Sequence, residues 1–98
     1  MKDVDELLGK EVSSVAFVGD GVEFRFGSAV LLSTSAPYVT IGESTYRFPT
    51  AGSRDALCLV IGSVVESLDH IEGQCFEFTT SNGCRVRIPL DGRSLQLA

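Results

Sequence analysis

The stretch CFEFTTSNGCRVRI (75–88) decides how the chain is read. Apolar and polar residues alternate on both sides of Ser81-Asn82-Gly83, the pattern of two half-buried strands joined by a turn. Parity selects the loop length. A three-residue loop, with Gly83 in the left-handed bulge position, opposes Thr80 to Cys84, Phe78 to Val86, Glu77 to Arg87 and Phe76 to Ile88. All the apolar pairs then share one face, and Glu77 with Arg87 lies on the other. A two-residue turn sets Phe78 against Arg87, so the longer loop is predicted.

The same alternation continues outward. EVSSVAFV (11–18) and VEFRF (22–26) flank Asp20-Gly21, a dipeptide suited to a type I′ turn, which predicts Phe17 opposite Phe24 and Val15 opposite Phe26. Gly27-Ser28 fits a type II′ turn into AVLLSTS (29–35). After Pro37, YVTI (38–41) and TYRF (45–48) predict a hairpin around Gly42-Glu43-Ser44, and SLQLA (94–98) supplies a last strand. Two short helices are expected. Asp3, Asp5 and Glu6 suit the start of the first and Gly9 its stop; Ser53 is the predicted N-cap of the second, with Asp55 in its first turn and Gly62 as its stop.

The chain also echoes itself. LLGKEVSSV (7–15) returns as VIGSVVESL (60–68) at an offset of 53, which sets Gly9 on Gly62 and Val12 on Val65. With small gaps, Phe24 and Phe26 then match Phe76 and Phe78. Self-similarity at a fixed offset marks repeated structural units. The expected fold is mainly β, at the boundary with α+β. It has about eight antiparallel strands and two short helices, in pseudo-repeated halves 3–48 and 53–98 that form a small barrel or sandwich. Residues 1–98 read as a single domain, since no linker rich in Pro, Gly or Ser divides them.

Composition narrows the function classes. With 44% hydrophobic and 21% charged residues the chain is an ordinary globular protein rather than a disordered one. A net charge of −5 argues against binding a phosphate backbone. ALCLVI (56–61) is too short to span a bilayer, and the acidic start MKDVDELLGK lacks the pattern of a signal peptide, so no membrane association and a cytoplasmic location are expected. Of the 3 cysteines at least one is unpaired. Cys75 and Cys84 point to opposite faces, so reduced thiols are expected. Cys58 and Cys84 read as buried, and Cys75 as the most accessible.

No catalytic, metal, cofactor or nucleotide motif stands out, and no catalytic or metal-binding residue is assigned. His70 is the only histidine. In the echo it occupies the place of Phe17, which makes it a core-edge residue or a group lining a pocket between the halves together with Phe17 and Phe76. An enzyme using His70 with Glu72 is a more remote reading. Arg85 and Arg87 suggest an anion-binding strip, although Glu77 opposite Arg87 offers a plain cross-strand pairing. AVLLSTSA (29–36) carries no charge, and its turn sends Val30 and Leu32 outward beside Glu23 and Arg25. That apolar pair needs a cover: a helix, the 38–48 hairpin or a second subunit.

The pattern LLGKEVSSVAFVGDGVEFRF (7–26) resembles a loose class of short, uncharacterised bacterial β-rich proteins, found in mobile gene cassettes or, like immunity proteins, beside toxin genes. The resemblance implies a small binding protein and carries over no catalytic residue. The leading expectation is a non-enzymatic binding or protein-interaction module, homodimeric through Val30 and Leu32. A small-ligand-binding protein with its pocket near His70 is the alternative.

Overall fold

The computed structural model describes residues 4–19, 21–93 and 95–98. Two antiparallel sheets make a sandwich-like arrangement that, among the described residues, does not close into a barrel. The first holds β1 (Ser14–Val18), β2 (Gly21–Phe26), β3 (Ala29–Ser33) and β9 (Gln96–Leu97), in that order. The second runs β5 (Ser44–Arg47), β4 (Tyr38–Ile41), β8 (Cys84–Pro89), β7 (Cys75–Thr80) and β6 (Val65–Ile71). Each sheet is thus a three-strand meander with a neighbour borrowed from elsewhere in the chain: β9 beside β3, and β4 beside β8. The sheets do not coincide with the sequence halves 3–48 and 53–98.

The β7–β8 hairpin has the register that parity demands, with Phe78 opposite Val86, Glu77 opposite Arg87 and Phe76 opposite Ile88. Gly83 takes φ +87, the left-handed conformation the three-residue loop requires. The β2–β3 turn at Gly27-Ser28 also matches its expectation, since Phe26 pairs with Ala29. The β1–β2 turn differs. Val18 pairs with Gly21, so Phe17 faces Val22 while Val15 faces Phe24. Asp20, on which the Asp20-Gly21 expectation rests, lies outside the described residues, as do Asp3 and Ser94. The pairing slips by two residues relative to expectation, and an even slip keeps every side chain on its intended face. The 38–48 hairpin is likewise one residue tighter, with Ile41 paired to Ser44 around Gly42-Glu43.

The inward faces meet in an aromatic layer. Phe24 and Phe26 of the first sheet lie 5.7 and 5.8 Å, centroid to centroid, from Phe78 of the second, both edge to face. Phe24, Phe76 and Phe78 are fully buried, with Leu31, Val39, Val86 and Ile88 around them. Burying each such side chain stabilises the fold by about 1.5–3 kcal/mol.

Among the described residues one α-helix is present, not two. Val4–Leu7 forms only a 3₁₀ turn, with Lys10 N–H donating to Leu7 O at 3.0 Å. A segment of 4 residues makes too few i→i−4 bonds to hold an α-helix. The helix α1 (Ser53–Cys58) is capped by Gly52, and Ser53 sits inside it with its hydroxyl donating back to Thr50 O at 2.6 Å. Ser53, Ala56 and Leu57 form its buried stripe, which Val60 continues in the turn beyond it. Cys58 falls on the opposite side and is exposed. Packing on β1, β4 and β5, α1 bridges the two sheets.

The two echoing segments pair with each other. Gly9 N–H donates to Val65 O (2.9 Å) and Gly62 N–H to Val12 O (2.8 Å). Val12 N–H donates to Ser63 O (2.9 Å) and Val65 N–H to Lys10 O (2.9 Å), around a bridge of Glu11 with Val64. Each bond has its counterpart at the offset of 53 residues read from the sequence.

Candidate functional site

Strand alternation sends the polar residues of β4, β7 and β8 to the outer side of the five-stranded sheet. Register lines them up in rows. One runs Thr45, Thr40, Arg85, Thr79, Ser67; the next runs Arg47, Tyr38, Arg87, Glu77, Asp69. An open groove of about 500 Å³ crosses this face, lined by residues of both rows together with Ile71, Gln74, Cys75 and Pro89.

The charges in it are unevenly matched. Glu77 faces the like charge of Asp69 across the β6–β7 ladder, and its carboxylate reaches diagonally to Arg85, Oε1 to Nε 3.8 Å. Arg87, opposite Glu77 in register, instead donates to Cys75 Sγ at 3.9 Å. Among the described residues no carboxylate lies within ion-pair distance of Arg87. The hydrogen bond to the Cys75 sulfur, and the charge that sulfur carries when ionised, raise the Arg87 pKa above its ordinary value. Arg87 is therefore a fixed cation throughout the working pH range. Thr40 and Thr45 share a hydrogen bond of 3.0 Å, which uses one of their two hydroxyl protons. The Arg47 guanidinium lies 5.2 Å from the Tyr38 ring centroid, a cation–π contact that holds the ring at the groove wall.

Of the residues singled out by the sequence, His70 and Phe76 are in ring contact, and Phe17 has other ring partners. Phe76 is fully buried and His70 exposed on the edge strand β6, its ring 5.9 Å from that of Phe76. Phe17 is half-buried and stacks on Phe48 at 5.5 Å, with Arg54 over both rings. Glu72 lies in the turn after β6, and among the described residues no carboxylate is within ion-pair distance of His70. Val30 and Leu32 do face outward and are half-buried, opposite Arg25 and Glu23, which pair with each other at 3.2 Å. Of the expected intramolecular covers, the 38–48 hairpin joins the other sheet, and α1 packs mainly on β1, β4 and β5.

All three cysteines are free. Their exposure reverses the expectation at two positions: Cys58 is exposed, while Cys75 is buried in the groove lining beneath Arg87. Sequence reasoning named Arg85 and Arg87 but missed Tyr38, Thr40 and Thr45. Their outward parity was readable; that β4 lies beside β8 was not.

Among the described residues no cluster of three or more His, Cys, Asp or Glu side chains is placed to hold a metal ion, and no helix is long and apolar enough to cross a membrane. No buried side-chain nitrogen or oxygen among them lacks a hydrogen-bond partner. Compared with protein-family models, curated proteins and solved structures, the chain matches none.

Proposed function

We propose that the protein is a non-enzymatic binding module that holds a small ligand in the groove on the outer face of β4, β8 and β7. One observation carries this reading. A cation beyond ion-pair distance of every described carboxylate, Arg87, meets hydroxyls, an aromatic ring and apolar walls in one concavity of about 500 Å³. Small-molecule sites combine a few placed polar groups with apolar lining at about this size. Binding is favoured over catalysis by what the groove holds: its carboxylate is tied to Arg85, and its thiol, Cys75, is buried. A fragment mixture titrated into ¹⁵N-labelled protein tests the reading. Amide shifts are expected at Tyr38, Thr40, Arg85 and Arg87; shifts confined to other surfaces, such as the surroundings of His70, contradict it.

A second reading is a homodimer through Val30 and Leu32, favoured by an outward, half-buried apolar pair on the sheet that the 38–48 hairpin does not join. Leu32→Glu is then expected to convert a sedimenting dimer to a monomer, and a monomeric wild type removes the reading. Free thiols accord with a reducing, cytoplasmic compartment.

We further infer that the halves are copies of one plan within a single domain. The reciprocal bonds around Glu11 and Val64 support this, as does the shared order of meander plus borrowed strand. So does the pairing of exposed apolar residues at the same offset, Leu8 with Ile61 and Val18 with Ile71.

A further inference from the structure

Resting on the groove as a binding site, we infer that its ligand is a small organic acid with one carboxylate and a flat apolar body. The charge is the first reason. Glu77 pairs with Arg85 at 3.8 Å, which leaves Arg87 as the cation of the groove lining beyond ion-pair distance of any described carboxylate, in a chain whose net charge is −5. One guanidinium fork matches one carboxylate, with two parallel N–H···O bonds. A phosphate dianion calls for a second free cation, and Arg85 is already engaged. Donors beside the fork are the second reason. Thr40 stands across the β4–β8 ladder from Arg85, two ladder positions from Arg87 on the same face, and the Thr40–Thr45 pair has one hydroxyl proton left to give. The walls supply the third: Tyr38, Ile71 and Pro89 offer an aromatic ring and aliphatic surface for the ligand's body. The site is open, so each contact competes with water and the affinity rests on the carboxylate fork.

Benzoate and its neutral isostere benzamide are the probes, titrated into ¹⁵N-labelled full-length protein. Benzoate is expected to shift Tyr38, Arg85 and Arg87 and to bind about tenfold more tightly than benzamide, the worth of one charge-assisted pair. Arg87→Gln should abolish that preference. Glu77→Gln should strengthen benzoate binding, because it removes the opposing charge and frees Arg85; a purely structural Glu77 gives no such gain. Both variants must keep the wild-type pattern of dispersed amide peaks, and Arg87→Lys, which retains charge without the fork, should recover part of the preference. Equal binding of the two probes at these residues overturns the carboxylate and leaves the groove standing. Shifts from neither probe overturn both. Acetyl-Gly-Phe binding more tightly than benzoate, and losing that on amidation, overturns the small acid in favour of a peptide terminus.

Discussion

Phe78 touches Phe24, Phe26 and Phe76, with ring centroids between 5.7 and 6.1 Å away, and so joins both sheets. Phe78→Ala leaves a cavity that no single strand can collapse into, and should lower stability by about 3–5 kcal/mol in urea unfolding. Phe17→Ala, at the half-exposed edge, should cost less than half as much. Equal losses would place the core elsewhere. Inward parity made Phe24, Phe26, Phe76 and Phe78 readable from spacing alone. Cys58 was misread because ALCLVI looks uniformly apolar, whereas a helix buries only the stripe through Ser53, Ala56 and Leu57. Arg87 sets a pH expectation. Its raised pKa means the folded chain holds that proton more tightly, so any stabilisation is complete below the ordinary arginine pKa and is lost only as pH rises past the raised value. Benzoate affinity should accordingly stay flat from about pH 6 to 7.5, where neither arginine nor the probe titrates and thiols are ordinarily still neutral. A fall within that window would point to another group.

At the scale of elements, the β7–β8 hairpin shows why local pattern suffices in some places. Its loop needs one left-handed residue, and a Cβ on Gly83 meets nothing within 4 Å, so Gly83→Ala tests backbone preference without a clash. The cost should be about 1–2 kcal/mol, read as a shift in unfolding midpoint with unchanged denaturant dependence. No measurable loss would mean that the loop adopts another turn. The β1–β2 connection shows the limit. An Asp-Gly pair promised one turn, pairing settled two residues away, and both choices bury the same side chains. Face is therefore legible where register is not. The groove lies beyond that limit as well, because its rows depend on β4 pairing with β8, and no local period reports that contact.

At the scale of the whole molecule, each meander is completed by a strand from another part of the chain, and the echoing segments hydrogen-bond across the middle. Neither sheet can then bury its Phe face alone. Urea unfolding followed by backbone circular dichroism and by tyrosine fluorescence should give coincident transitions, because Tyr38 and Tyr46 both lie in the 38–48 hairpin that closes the second sheet. Separate transitions would mean two independent units. That shared aromatic layer fills the interior, which is why recognition is assigned to an outer face. Nuclear Overhauser contacts between ring protons test it most directly. Phe24 and Phe26 should each show strong contacts to Phe78, at centroid distances of 5.7 and 5.8 Å. Their absence in well-resolved spectra, with Phe78 reporting only neighbours from its own sheet, would contradict the account.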